Sequence, residues 1–197
     1  CPLEADNPVT RSNDGRADPQ GGFWIGTMGV HAEPGAGAIW RYYLGELRRI
    51  FAPITISNAI CFAPNGSTAY FCDTTTRLIM RTALDTHGWP VGDPATHIDL
   101  TAERLNPDGA VVDAAGSLWN AQWGASRVAC YDPAGKFLQA VTFPATQTSC
   151  PAFGGPDLMT LVCTTAKIGL PNDNPDEGKT FAVQTDTKGQ TEHRVIL

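Results

Sequence analysis

The chain contains an internal repeat, and a short polar residue with a side-chain oxygen occupies the same position in three of its copies. Each precedes a glycine by eight residues, the pairs being Asp14 with Gly22, Asn58 with Gly66, and Asp108 with Gly116. Carboxylate and amide oxygens suit hard cations such as Ca²⁺, Mg²⁺ or Mn²⁺. A buried carboxylate is costly unless it is paired or binds a metal. The spacing therefore predicts that Asp14, Asn58 and Asp108 converge on a metal or catalytic site.

The neighbours of these three residues extend the candidate site. Arg11 and Asn13 lie with Asp14 in the segment RSNDGRADPQGG, and we expect them at a ligand-binding strand end. In a weaker fourth repeat, Ser149 and Cys150 fall near the equivalent position. A nucleophilic cysteine needs a nearby base and none is evident, so these two residues are expected only to line the axis. Two more aspartates, Asp18 and Asp113, are interpreted as turn residues.

Short strands must position these residues, because each repeat divides into pieces of strand length. The second repeat reads NAICFAP, STAYFCDT, RLIMRTAL and THIDLT, and clusters such as DPQGG, APNGS, DAAGS and DPAGK separate the pieces. The pieces are rich in Ile, Val, Phe, Trp and Tyr, which favour strands. Repeats of about 40–50 residues with several strands are typical of β-propellers, whose equivalent loops face one axis. The sequence predicts an all-β fold, a single domain over residues 1–197 with about four blades.

Composition excludes several classes of partner. The 197-residue chain has a net charge of −6, a pI of about 5.1 and no basic cluster, which argues against nucleic acid. No apolar run approaches the roughly 20 residues of a membrane span. The six cysteines form no CxxC pair, and four of them lie in apolar strand patterns. We expect free thiols and a cytoplasmic location.

Several segments together resemble the gluconolactonase/regucalcin (senescence marker protein) family of six-bladed propellers. They are RSNDGRADPQGGFWIGTM, ISNAICFAPNGSTAYFCDT, NPDGAVVDAAGSLWNAQWGASRVACYDPAGKFLQAV and TSCPAFGG. The resemblance implies one divalent cation (Ca, Zn, Mn or Mg) held by an N-terminal Glu, by Asn58 of the ISN motif and by Asp108 of the PDG motif. It also implies that Arg11 and Asn13 contact a sugar lactone.

The chain departs from the family pattern in two places. The family's metal-binding Glu lies in an early segment, and Glu4 is too close to Arg11 to be that residue. We therefore expect about two blades before Cys1, with four blades leaving a gap, exposed sheet faces and weak metal binding. In a compared member of the family, acidic residues follow shortly after GTM, whereas Val30 and His31 follow GTMG here. His31 is accordingly a candidate substrate contact.

The function implied by the resemblance is metal-dependent hydrolysis of a sugar lactone, a small-molecule substrate. Asp108 would take the proton of the attacking water, and Arg11 and Asn13 would orient the sugar ring. Three alternatives stand beside it. One is a calcium-binding protein without enzymatic activity, another is a propeller that serves as a protein-interaction platform, and a third is a complete four-bladed ring with different chemistry.

Overall fold

The computed structural model describes residues 2–171 and 173–196, which form β-strands joined by turns. The first sheet contains β1 (Thr10–Ala17), β2 (Phe23–Gly29), β3 (Gly37–Tyr43) and β4 (Glu46–Ile54). The second contains β5 (Ser57–Phe62), β6 (Thr68–Asp73), β7 (Leu78–Leu84) and β8 (Pro90–Asp99). The third contains β9 (Asn106–Val112), β10 (Leu118–Trp123), β11 (Arg127–Tyr131) and β12 (Phe137–Thr142). The fourth contains β13 (Gln147–Gly154), β14 (Thr160–Ala166) and β15 (Thr180–Gln184).

Each sheet is an antiparallel meander in which neighbouring strands follow one another in the chain. The first strands of the sheets, β1, β5, β9 and β13, pack against one another in turn and form the inner wall. This arrangement confirms the predicted all-β propeller with four blades. Among residues 2–171 and 173–196, no strand of the fourth sheet pairs with a strand of the first. That two further blades complete the ring stays a prediction.

Four turns share one side-chain arrangement, which explains the repeated aspartate and glycine in the breaker clusters. In each turn the aspartate Oδ1 accepts the backbone N–H groups two and four residues later, and the glycine three residues later has positive φ. The aspartates are Asp18, Asp85, Asp113 and Asp132. Glycine adopts positive φ without steric cost. The interpretation of Asp18 and Asp113 as turn residues agrees with this geometry.

The hydrophobic core lies between adjacent sheets and has three parts. Trp24, Ile39 and Ile60 lie in the part between the first and second sheets. Ile79, Leu118 and their neighbours fill the space between the second and third sheets. The space between the third and fourth sheets contains a further cluster that includes Trp119 and Leu161. Each sheet therefore buries both faces only where it has neighbours on both sides, as blades stacked around an axis do.

Every inner strand carries a β-bulge at the same height. The register against the second strand shifts between Ser12 and Gly15 in β1, and between Asn58 and Cys61 in β5. It shifts opposite Asn120 and Gln122 in β9, and between Thr148 and Cys150 in β13. A bulge bends its strand and re-aims one side chain. The bulges thus turn the candidate residues of successive blades toward a common region.

The segment after β15 crosses the end of the inner wall that is remote from these bulges. Gly189 forms a bridge with Asp113, and the Gln190 Nε2 donates to the carbonyls of Phe62 and Val112. Farther along, the Ile196 N–H donates to the Gly21 carbonyl of the first sheet. The segment therefore links all the sheets that precede the fourth.

Arg16 is an inner-wall residue whose side chain contacts this segment. Its Nε donates to the Ile60 carbonyl at 3.1 Å and its Nη2 to the Ala110 carbonyl at 3.0 Å, while Nη1 pairs with Glu192 at 2.5 Å. Arg16 therefore joins three inner strands to the C-terminal segment.

The membrane and cysteine predictions can be compared with the described residues. In residues 2–171 and 173–196, no helix is long and apolar enough to cross a membrane. The cysteines in this part of the chain are free thiols: Cys61, Cys72, Cys130, Cys150 and Cys163. Cys1 lies outside the described residues.

Candidate active site

A cavity of about 260 Å³ opens where the bulged ends of the first three inner strands meet. The four residues assigned to substrate or metal by the resemblance, Arg11, Asn13, Asn58 and Asp108, all line it. They come from β1, β5 and β9 of three successive blades. The remaining lining residues are Met28, Ile56, Thr74, Trp123 and Ile168. The cavity therefore combines a polar side with an apolar side, as a pocket for a small polar molecule requires.

Hydrogen bonds connect the polar side across blades. Arg11 Nη1 donates to the Oδ1 of Asn13 at 3.1 Å, and the Nδ2 of Asn13 donates to the Oδ1 of Asn58 at 3.1 Å. The same Nδ2 donates to the carbonyl of Ser57 at 2.9 Å. Asn58 is 5% exposed, and its Nδ2 donates to the Oγ1 of Thr74 at 2.9 Å. These bonds hold both amides in defined orientations.

Asp108 lies at the bulge of β9, where hydrogen bonds from a side chain of the neighbouring strand β10 hold its backbone. The buried Asn120 side chain donates through Nδ2 to the carbonyls of Asp108 and Gly109. Gly109 permits close approach of β13, because a Cβ there would lie 2.8 Å from the Sγ of Cys150 and from the carbonyl of Ser149. The short contact therefore requires glycine after Asp108.

The electrostatics of the cavity are dominated by two carboxylates. Burial and then the negative charge of Asp14 raise the pKa of Asp108 to about 7. Burial also raises the pKa of Asp14, against the N–H of Ile60 and the positive charge of Arg16, which lower it. Asp14 Oδ2 accepts the Ile60 N–H at 2.8 Å. Ionisation of either carboxylate is therefore costly in this site, and a cation bound beside Asp108 would offset that cost.

The geometry corrects the repeat alignment by one residue. The turn glycine of the first repeat is Gly21, with φ +90°, as Gly66 and Gly116 are the turn glycines of the next two. The residue eight positions before Gly21 is Asn13. Asn13, Asn58 and Asp108 are thus the equivalent residues that share the cavity. The Asp14 carboxylate instead accepts the Ile60 N–H of β5.

Three other candidates lie away from the cavity lining. His31 is exposed in the turn after β2, where its N–H donates to the Glu33 carboxylate. Ser149 Oγ bonds to Thr164 Oγ1 at 2.8 Å. Burial raises the pKa of Cys150 to about 11, so its thiol is a poor nucleophile. Their roles stay predictions, and the cavity geometry adds nothing to them.

Glu4 is held elsewhere, as its position in the sequence indicated. Its carboxylate accepts hydrogen bonds from the Thr10 and Thr27 hydroxyls and from the Trp40 indole. The Glu4 side chain therefore bonds within the first blade, and it does not line the cavity with Asn58 and Asp108.

Sequence reasoning missed the residues of the cavity wall. Thr74 follows β6 in the run CDTTT, and Trp123 ends β10 in the run QWG. Ile168, in the loop after β14, is 75% exposed at the cavity. The sequence offered one signal for two of these residues. Thr74 directly follows β6 and Trp123 ends β10, and each of these strands is the second of its sheet, so its end lies beside the bulge of the inner strand.

The donor set fits a hard divalent cation in part. Asp108 supplies a carboxylate and Asn58 an amide oxygen, which are ligands that Ca²⁺, Mg²⁺ and Mn²⁺ accept. The negative charge of Asp14, which contributes to the raised pKa of Asp108, would also attract a cation bound at Asp108. Within residues 2–171 and 173–196, no group of three or more His, Cys, Asp or Glu side chains could hold a metal. Asn58 and Asp108 would therefore be two ligands among several.

Comparison with known proteins supports the resemblance. The chain is 38% identical over 194 residues to L-arabinolactonase of Azospirillum brasilense, covering 94% of this chain and 63% of that protein. It is 32% identical over 197 residues to 6-deoxy-6-sulfogluconolactonase of Pseudomonas putida, covering 95% of this chain and 68% of the relative. The chain thus spans roughly two thirds of the length of the curated relatives it matches.

A solved structure gives the same result for the fold. The calcium-binding protein regucalcin from Agrobacterium tumefaciens str. C58 superposes with a TM-score of 0.96 at 44% identity, covering 99% of this chain and 68% of that chain. Residues 2–167 match the family described as SMP-30/Gluconolactonase/LRE-like region. With these matches over nearly its whole length, the chain belongs to the SMP-30/gluconolactonase family.

Proposed function

We propose that this chain carries the substrate and metal residues of a metal-dependent sugar lactone hydrolase. The observation that carries the proposal is the meeting of Arg11, Asn13, Asn58 and Asp108, from three blades, in one cavity. Relatives named as lactonases at 38% and 32% identity support this substrate class. The free thiols fit a reducing compartment, and we place the protein in the cytoplasm.

The substrate end of the cavity is formed by Arg11 and Asn13. Arg11 donates hydrogen bonds through Nη1 to the carbonyl of Ser12 and to the Oδ1 of Asn13. The other N–H groups of the guanidinium are suited to the hydroxyl oxygens of a sugar ring. Trp123 offers an aromatic wall against which an apolar ring face can pack. These residues would orient the lactone so that its carbonyl faces Asp108.

Hydrolysis adds water to the lactone carbonyl and opens the ring. The Asp108 carboxylate accepts a proton from the attacking water, whose oxygen bonds to the carbonyl carbon. The ring C–O bond then breaks, and the proton passes to the departing ring oxygen, giving a hydroxy acid. A divalent cation at Asn58 and Asp108 would supply polarisation of the carbonyl and a lower pKa of the bound water. Asn58 contributes its amide oxygen and does not titrate.

The proposal is tested by base uptake during hydrolysis of a panel of aldonolactones, with Mn²⁺ and with EDTA. We expect turnover that EDTA abolishes and that Asp108→Ala removes, and the 197-residue chain should need a high Mn²⁺ concentration because Glu4 does not supply the family's Glu ligand. Asn58→Ala should weaken Mn²⁺ binding less than Asp108→Ala, because a neutral amide attracts a cation less than a carboxylate. The turn variant Asp132→Asn, remote from the cavity, is the control and should retain activity.

Two results would overturn the proposal in different ways. Saturable Ca²⁺ or Mn²⁺ binding that requires Asp108, without turnover of any aldonolactone, would favour a calcium-binding protein without enzymatic activity. Unchanged metal binding in Asp108→Ala would reject the assignment of the metal site to Asp108. A propeller that serves as a protein-interaction platform would then be favoured.

A further inference from the structure

Four side chains form a continuous line of hydrogen bonds between blades, which we call the amide relay: Arg11, Asn13, Asn58 and Thr74. Arg11 Nη1 donates to Asn13 Oδ1, and Asn13 Nδ2 donates to Asn58 Oδ1, each at 3.1 Å. Asn58 Nδ2 donates to Thr74 Oγ1 at 2.9 Å. Thr74 Oγ1 donates to the Pro107 carbonyl at 2.7 Å. The relay thus begins on the first sheet and ends beside Asp108.

The two ends of the relay fix its direction. A guanidinium only donates and a backbone carbonyl only accepts. The single hydroxyl proton of Thr74 is given to the Pro107 carbonyl, so the Thr74 oxygen can only accept from Asn58. The Nδ2 of Asn58 must therefore face Thr74, and its Oδ1 must face away from Thr74, toward Asn13. An amide flip would place two acceptors or two donors against each other at both contacts.

Thr74 is itself held in place by the segment around it. It begins a 3-10 turn at Thr74–Thr76, and its N–H donates to the Ile56 carbonyl. The carboxylate of Asp73 caps this turn by accepting the Thr75 N–H, and it also accepts the Ile56 N–H. The hydroxyl therefore has a defined position between β5 and β9.

We propose that Thr74 is a positioning residue that orients the Asn58 amide oxygen for a cation and ties it to the strand segment that carries Asp108. The inference rests on the proposed metal site of the preceding section. Without the hydroxyl, the Asn58 NH₂ group loses its acceptor, and only the hydrogen bond from Asn13 to Oδ1 still distinguishes the two ends of the amide. The amide is then freer to turn its NH₂ group toward the cation. Groups that orient ligands in this way typically change metal affinity by about 10- to 100-fold when they are removed.

The test compares Thr74→Val with Thr74→Ser in the 197-residue chain. Valine keeps the shape and removes the hydroxyl, whereas serine keeps the hydroxyl. Binding of Mn²⁺, followed by water proton relaxation, should weaken by about 10- to 100-fold in Thr74→Val and by less than about twofold in Thr74→Ser. The control is Thr76→Val, which removes an exposed hydroxyl that donates to the Asp73 carbonyl in the same turn. It should bind Mn²⁺ like the wild type.

A second measurement does not depend on metal. In NMR spectra, the side-chain amide protons of Asn58 should exchange with water faster in Thr74→Val than in the wild type or Thr74→Ser. Equal exchange rates in all three proteins would overturn the relay. So would wild-type Mn²⁺ affinity in a folded Thr74→Val variant while Asp108→Ala loses binding. Unchanged binding in Asp108→Ala would instead reject the metal site, and amide exchange would still decide the relay.

Discussion

Replacing Asp108 by asparagine should stabilise the metal-free chain at neutral pH and remove its metal affinity. Burial and the charge of Asp14 raise the pKa of Asp108 from 3.8 to about 7, so the ionised carboxylate opposes folding. The folded chain binds this proton more tightly than the unfolded chain. The stability linked to the group is therefore fully present below pH 3.8 and is lost as the pH rises through about 7.

The size of the effect follows from the two pKa values. The gap between 3.8 and about 7 corresponds to about 4 kcal/mol at ~1.36 kcal/mol per pH unit. Water in the open cavity screens part of this cost, so we expect a gain of about 2–4 kcal/mol for Asp108→Asn at pH 8. Near pH 4 the gain should fall below about 1 kcal/mol, because the folded carboxyl is then protonated and the unfolded one is only about half ionised.

The assay is urea unfolding at pH 4, 6 and 8 with EDTA, together with Mn²⁺ titration at pH 8. Asp99→Asn is a matched control of opposite sign, because hydrogen bonds from Thr101 lower the pKa of the exposed Asp99. An Asp108→Asn protein no more stable than the wild type at pH 8 would refute the electrostatic reasoning. Wild-type Mn²⁺ affinity in that variant would refute the assignment of Asp108 as a ligand.

Three further predictions concern the substrate side and the frame of the site. Arg11→Ala should lower kcat/KM for a sugar lactone by about 10- to 100-fold while Mn²⁺ affinity changes little; wild-type kinetics on every aldonolactone tested would remove Arg11 from the site. Asp18→Ala leaves the fully buried Arg41 without its carboxylate and should cost about 3–5 kcal/mol in urea unfolding; a loss below about 1 kcal/mol would contradict this. Arg16→Met removes hydrogen bonds to the carbonyls of two other inner strands and should cost about 2–3 kcal/mol, and unchanged stability would show that the C-terminal segment holds nothing through Arg16.

The strands and turns were predictable because their causes are local. Apolar and β-branched runs of five to eight residues occur where strands form, including STAYFCDT at β6 and SLWNAQW at β10. The Asp-x-x-Gly turns require glycine at a position with positive φ, so the turns can be recognised from the amino-acid sequence. The period of the repeat then predicted blades around an axis.

The composition of the site was predictable only in part. Asn58 and Asp108 were indicated by the repeat, but two adjacent glycines at Gly21 and Gly22 left the first alignment uncertain by one residue. The positive φ of Gly21 decides it, and the equivalent residue becomes Asn13 in place of Asp14. One residue along a strand moves a side chain to the other face, so this difference decides which group lines the cavity.

The sequence by itself determined the strand pattern, the turn chemistry and the residue types available for a cation and a sugar. The tertiary structure decided which of them meet. The bulges in the inner strands aim Asn13, Asn58 and Asp108 at one cavity, and the carbonyl of Pro107 fixes the direction of the Thr74 hydroxyl. These contacts join residues more than thirty positions apart in different blades. Their geometry arises from blade packing, which no local pattern of residues records.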